Sequence, residues 1–209
     1  MKINSEEWWD EEFRTKWIYG IDGRLQTAYY ASLFLTSVDN TILEIIQNAD
    51  SMLDYGCALG EATNILNTIN HNVTGYDFSE EAINLAKINF PHLTFKNELS
   101  FLDKYDVIYC SNVLEHFEDP YTKLEEMSEH CNHYIIILAP YNQKPNEFHF
   151  HKFIWNEFYG RNCISGFKVV RQILIQTYNK ILDGGQQILY ILGREAVKLH
   201  EFQSMGQVI

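Results

Sequence analysis

Asp54, Gly56, Ala58 and Gly60 alternate within residues 51–66, SMLDYGCALGEATNIL, a spacing suited to holding a polar ligand against bare main chain. A short apolar run, Met52 and Leu53, ends on the aspartate; a turn through Cys57 and Leu59 follows, and helix formers close the segment. This is the pattern of a buried strand, a tight turn and the opening of a helix. Glycine belongs in such a turn because the backbone bends sharply and approaches a ligand where a Cβ would obstruct it. The first free amides of the helix face the same ligand. Spacing then narrows the chemistry. A dinucleotide fingerprint needs a glycine three residues past Gly60, where this chain has Thr63. A phosphate-cradling loop would continue as Gly-Lys-Ser/Thr, whereas Gly60 runs into Glu61, an anion where a phosphate would sit. Asp54 suits a cationic ligand better. A second set, His116, His149 and His151, can accept a proton near neutral pH.

The elements that must position these residues can be read in order. Ser5 followed by Glu6 and Glu7 marks a helix start, and Trp8, Trp9, Phe13 and Trp17 then recur at helical spacing, as expected of a stripe packed against the domain. Residues 18–24 read as a turn-rich break with Gly20 and Gly23 as stops, followed by helices over 25–35 and about 40–48. After the glycine turn, residues 71–77 form a strand ending in Asp77, and Phe78 and Ser79 lead into a helix reaching residue 89. Residues 91–96 are a short third strand. A fourth begins at Asp106 and stops at Ser111 and Asn112, before a short helix that runs to Asp119 and Pro120. An amphipathic helix over 121–131 precedes the uninterrupted apolar strand 134–139, which fits a central parallel position. The polar stretch 140–151 lies past the carboxyl end of that strand, the edge at which open α/β sheets bind ligands. A helix is expected over 152–158, then strands over 167–175 and 187–193 about a turn near 183–185, and a frayed tail.

Three of these segments resemble one family. Asp54-x-Gly56-x-Ala58-x-Gly60 resembles motif I of the class I S-adenosylmethionine-dependent methyltransferases, with Ala58 in place of the usual middle glycine. Asp77, about twenty residues past the turn, fits motif II, where a strand-end carboxylate accepts both ribose hydroxyls. Ser111-Asn-Val-Leu-Glu-His116 closely resembles motif IV of the small-molecule enzymes typified by ubiquinone and menaquinone biosynthesis. The resemblance implies a Rossmann-like, doubly wound seven-stranded sheet, mostly parallel with a C-terminal antiparallel hairpin and helices on both faces. It implies S-adenosylmethionine as cofactor and S-adenosylhomocysteine as product. Asp54, Gly56, Cys57, Ala58, Gly60, Asp77 and Phe78 would surround the cofactor, Glu98 and Leu99 would lie near the adenine, and Ser111 and Asn112 beside the methionine moiety. Residues 1–48 would form a helical lid on a core of residues 49–209, a single domain overall. The segment Trp-x-Tyr-Gly…Gly-Arg-x-Gln-Thr resembles N-terminal regions of small bacterial methyltransferases, including ones linked to surface sugars. Tyr19, Arg24, Gln26, Tyr29 and Tyr30 are its candidate pocket residues. The Asn/Asp-Pro-Pro-Tyr signature of amino-group methylation on adenine and glutamine is absent from the sequence.

Composition limits the partners. Twenty-eight acidic residues against 16 basic ones give a formal charge of −12, and no run of Lys or Arg exceeds a pair, a poor match for nucleic acid. Cys57, Cys110, Cys131 and Cys163 are widely spaced, which supports free thiols in a reducing, cytoplasmic compartment rather than disulfides or zinc. No stretch has the length of a signal sequence core or a membrane span. Methyl transfer to a hydroxyl requires an oriented acceptor and removal of a proton. His116, His149 and His151 are the candidates for that proton, and Tyr141 and Arg161 for orienting the acceptor. His149 and His151 with a nearby acid could bind a divalent ion, but with Glu147 the one obvious acid beside them a base or acceptor contact is the preferred reading. The expected reaction is O-methylation of a small metabolite such as a sugar or polysaccharide precursor, by a monomer or homodimer. N- or C-methylation, transfer of another group on the same scaffold, and a non-catalytic binding module are the rival readings.

Overall fold

The path of the chain through its sheet reverses once, and that reversal opens a crevice at the edge of the sheet. The computed structural model describes residues 1–17, 21–158, 164, 166–177 and 185–194. Its strands are β1 (Met52–Tyr55), β2 (Val73–Tyr76), β3 (Thr94–Lys96), β4 (Tyr105–Ser111), β5 (Cys131–Pro140), β6 (Phe167–Gln176) and β7 (Gln186–Arg194). They lie in the order β3-β2-β1-β4-β5-β7-β6. The first five are parallel; β7 runs antiparallel to both β5 and β6. From β1 the chain steps outward to β2 and β3, then returns to β4 on the other side. The gap beyond the carboxyl ends of β1 and β4 is therefore a topological switch point.

Helices cover both faces. They are α1 (Glu6–Glu12), α2 (Ile21–Ser37), α3 (Asn40–Gln47), α4 (Glu61–Leu66), α5 (Glu80–Asn89) and α6 (Pro120–Glu129). Local chemistry sets their starts: Ser5, Asp39, Ser79 and Asp119 each accept a backbone N–H from the first turn, and Pro120 opens α6 where it forfeits no bond. Alternation along the strands divides the core. Leu53, Ile108, Ile135 and Ile137 face Leu124 and Met127 of α6. Met52, Val107, Tyr109 and Ile136 face Phe34 of α2, Ile42 and Ile46 of α3 and Leu66 of α4. Covered on both sides, β5 is buried from Tyr134 to Pro140. Among the described residues no helix is long and apolar enough to cross a membrane.

Several boundaries differ from the sequence expectation. Gly23 does not stop a helix: α2 starts at Ile21 and runs through it. The Trp17 indole lies 2.5 Å from where a Cβ on Gly23 would stand, so the glycine makes room for a ring. Cys131, placed at the end of a helix by its sequence, opens β5 instead. No helix forms over 152–158. Phe153 bridges to Tyr141, Asn156 takes a φ of 64°, and the Glu157 carboxylate accepts the Ile154 N–H, so the segment folds back on itself as turns. Gly20 and most of the turn near 183–185 lie outside the described residues; Gly185 itself accepts the Thr177 N–H at 3.1 Å.

Candidate active site

The glycine turn is assembled by bonds from both neighbouring strands. Gly56 and Cys57 donate their N–H groups to the Tyr76 carbonyl at 2.7 and 2.9 Å, and Gly60 donates to Cys57 at 3.0 Å. Gly56, Ala58 and Gly60 all have positive φ, at 79°, 48° and 92°. Ala58 holds its left-handed conformation because its N–H donates to the Asp77 carboxylate at 3.0 Å. The other Asp77 oxygen accepts the Ser79 N–H, also at 3.0 Å. One side chain at the end of β2 thus ties the glycine turn to the start of α5. Asp77 also faces open space, so it serves structure and site together.

That open space is a cavity of about 280 Å³ lined by Gly56, Ala58, Asp77, Phe78 and Asn112 on the sheet side and by Trp9, Phe13 and Trp17 on the helical side. The three aromatic rings form one continuous wall, with centroids 5.4 Å apart for Trp9 and Phe13 and 5.0 Å for Phe13 and Trp17. They pack against the domain as their spacing predicts, and they also line the crevice. Asp10 fastens this roof by accepting the Ser79 hydroxyl and the Glu81 N–H. At the other edge the Asn4 amide donates to the carbonyls of His116 and Phe148 at 3.1 and 2.8 Å.

A second cavity, about 160 Å³, shares Trp9, Trp17, Gly56, Ala58, Asn112 and His116 with the first. Its remaining walls include Gln26, Thr27 and Tyr30 of α2, with Ser111, Glu115, Pro140 and His149. Asn112 stands at the junction, held at a φ of 53° by its N–H bond to the Leu138 carbonyl. His116 and His149 are edge to face with ring centroids 4.9 Å apart. The Glu115 carbonyl accepts N–H groups from Phe150 and His151 at 2.7 and 3.1 Å, which brings the loop carrying His149 over the turn carrying His116.

Burial sets the charges. It raises Asp54 to about 7 and Asp77 to about 6, partly offset at Asp54 by the Thr63 hydroxyl and at Asp77 by its two backbone donors. Glu115, 1% exposed and with neither carboxylate oxygen hydrogen-bonded among the described residues, is raised to about 8. Desolvation lowers His116 to about 4, so its ring is neutral at physiological pH.

Other candidates take different places. Asp54 does not line the crevice; it lies beneath the turn and accepts the Thr63 hydroxyl at 2.7 Å, fixing the first turn of α4. Cys57 points into the core beside Gly75, and Gly60 packs under Phe90 and Phe95. Glu98 is exposed, and Leu99 packs against the core on the α6 side; neither lines the cavities. His151 turns away from His149 to bond Glu157 at 3.1 Å, and Glu157 also accepts the Tyr121 hydroxyl, so the side-by-side reading of the two histidines fails where the loop leaves strand geometry. Arg24 is ion-paired with Glu61, and Tyr29, its ring tilted against that of Tyr30, does not line the cavity. Tyr141 continues β5 into its bridge with Phe153 and packs on the core. Tyr19 and Arg161 lie outside the described residues.

A family model for a methyltransferase domain matches residues 28–155, more than half of the chain and the whole glycine-turn and Ser111–His116 region. The chain belongs to the methyltransferase-domain family. This methyltransferase-domain chain is 31% identical over 87 residues to the ubiquinone biosynthesis O-methyltransferase of Colwellia psychrerythraea, an alignment covering 37% of the chain and 35% of that protein. It is also 26% identical over 119 residues to condensin complex subunit 3 of Saccharomyces cerevisiae, covering 54% of the chain and 10% of that much longer protein. The chain therefore spans about a third of one curated relative and a tenth of the other. In fold it is similar to magnesium protoporphyrin IX methyltransferase from Synechocystis PCC 6803, solved with bound S-adenosylmethionine. The TM-score is 0.65 at 17% identity, over 92% of this chain and 98% of that one.

No local pattern points to Asn4 or Lys123, which line the larger cavity. Glu115 was visible within the Glu-His pair of the fourth motif, but nothing local shows that a side chain will be buried without a partner.

Proposed function

We propose that the protein transfers the methyl group of S-adenosylmethionine to a hydroxyl of a small metabolite, such as a sugar or polysaccharide precursor. One observation carries the reading: a crevice built from the glycine turn, Asp77 and Asn112 opens, through walls held in common, into a cavity containing His116 and His149. Donor and acceptor would thus meet end to end, as an in-line displacement requires. The residues fit the cofactor. Each Asp77 oxygen accepts one backbone N–H and keeps capacity for a ribose hydroxyl. The Trp9, Phe13 and Trp17 rings offer π faces to a cation and exclude water. When bound, S-adenosylmethionine supplies an electrophilic methyl carbon on a positively charged sulfur. Asp77 and the aromatic wall would hold the cofactor, and His116 and His149, lining the adjoining cavity, would orient the acceptor hydroxyl and take up its proton. Oxygen as the acceptor atom agrees with the named reaction of the Colwellia relative.

The reading extends to a cytoplasmic protein, its buried Cys57, Cys110 and Cys131 remaining thiols, and to a monomer or homodimer acting on a small molecule without nucleic acid or membrane. Calorimetric titration with S-adenosylmethionine and S-adenosylhomocysteine is the direct test, followed by a metabolite-extract screen for labelled-methyl incorporation. Failure to bind either compound would overturn the reading; tight binding with no turnover on any acceptor would favour a binding module. With the acceptor in hand, His149→Ala is expected to slow turnover about 100- to 10,000-fold with cofactor affinity nearly unchanged. His151→Ala, altering a ring bonded to Glu157 outside both cavities, should reduce turnover far less.

A further inference from the structure

Among the described residues, Glu115 is the acid whose burial the fold explains least. Both carboxylate oxygens are buried and unpaired among the described residues, a costly arrangement unless something else satisfies them. It stands beside His116 and His149, and one ligand-capable atom from each of the three lies within 4.8 Å of the other two. The histidines show a further feature. His116 donates from Nδ1 to the Phe148 carbonyl at 2.9 Å, and His149 donates from Nδ1 to the Gln143 side-chain oxygen at 2.8 Å. A carbonyl can only accept, so Nδ1 carries a proton in each ring, and Nε2 is the nitrogen through which either neutral ring would bind an ion. Imidazoles oriented by a carbonyl behind them are the usual outer support of metal-binding histidines.

We propose that Glu115, His116 and His149 hold a divalent first-row transition ion in the acceptor cavity. Two neutral imidazoles and one carboxylate are a common donor set for such ions, and three protein ligands leave positions open for another group. All three residues line the same cavity, so the open positions face the space assigned above to the acceptor. The inference rests on that assignment only for its role: the ion would take the acceptor oxygen as a ligand and lower the pKa of its hydroxyl, whose proton then leaves to water. The histidines would act through the ion instead of accepting the proton themselves. This ligand set differs from the sequence-adjacent pair His149 and His151, because the loop places His151 against Glu157.

The test uses tag-free full-length protein stripped with chelator, titrated with Co²⁺ by calorimetry and visible absorption, with S-adenosylmethionine titrated in parallel. The expected result is one Co²⁺ per chain with ligand-field bands. His149→Ala and Glu115→Gln should each weaken Co²⁺ more than about 100-fold, and Gln143→Ala about 10- to 100-fold, the usual effect of losing an outer support. Circular dichroism confirms folding, and Gln143→Ala keeps the test decisive should a ligand variant not fold. Absence of stoichiometric Co²⁺ binding, or unchanged affinity in the variants, overturns the metal site. Loss of S-adenosylmethionine binding with Co²⁺ binding intact would instead overturn the cofactor reading, so the two failures are distinguishable.

Discussion

Gly56→Ala is expected to abolish measurable S-adenosylmethionine binding and to destabilise the fold by about 2–5 kcal/mol. Two costs combine. The residue sits at a φ of 79°, which a side chain resists, and a Cβ there would stand 2.3 Å from Cγ2 and 3.1 Å from Cγ1 of Val113. The backbone cannot rotate away, because the amides of Gly56 and Cys57 are both committed to the Tyr76 carbonyl. Val113 follows Asn112, so relieving the clash pushes on the residue at the junction of the two cavities. Urea melts and calorimetry measure both effects. The double variant Gly56→Ala with Val113→Ala removes the overlap and should recover the packing cost while retaining the strain, roughly 1–3 kcal/mol. Full recovery would show that the left-handed conformation is not the constraint.

The second large effect is a dependence on pH carried by two buried aspartates. Asp54 and Asp77 titrate near 7 and 6 in the folded chain, against 3.8 for ordinary aspartate. A raised acid pKa means that the folded state holds protons the unfolded state has released, so stability falls as pH rises. The contribution of these groups is greatest near pH 4, declines through the interval to about pH 7, and is level above it. Asp54→Asn removes one ionisation without emptying the site, and retains an oxygen able to accept from Thr63. Relative to the parent, the variant should therefore gain stability with pH between 4 and 7, on the order of a few kcal/mol. A constant difference across that window, in melts of cofactor-free protein, would contradict the desolvation account. Cofactor binding should change in the opposite sense. The ionised Asp77 is the better acceptor for ribose hydroxyls, so affinity should rise with pH through about 6, being roughly tenfold weaker at pH 5 than at pH 7.5. Asp77→Asn should flatten that profile and weaken binding by roughly 1–3 kcal/mol.

Much of the architecture is legible locally. Seven strand segments and the helix starts at Ser5 and Ser79 follow from chemistry within a few residues of each position and form as read, whereas Asp119, read as the end of a short helix, caps the start of α6. The failures are of another kind. Gly23 reads as a stop and lies within a helix because Trp17, six residues earlier, needs the space. Residues 152–158 have a helical pattern but fold as turns because Glu157 is claimed by Tyr121 and His151. In each case a distant partner outweighs local propensity.

The candidate site divides along the same line. The order of residues alone determined the glycine turn, the strand-end aspartate and the Ser111–His116 motif, because tight turns, strand ends and helix starts depend on neighbours in sequence. Only the tertiary structure decided that Asp54 supports the turn from below while Asp77 both fastens it and faces the crevice. It also decided that Trp9, Phe13 and Trp17 roof the crevice, and that His149 rather than His151 meets His116 and Glu115. Those facts depend on which surfaces the folded chain brings within a few ångströms of each other. Such contacts join residues up to 144 positions apart, as Asn4 and Phe148 are, and no local pattern encodes them.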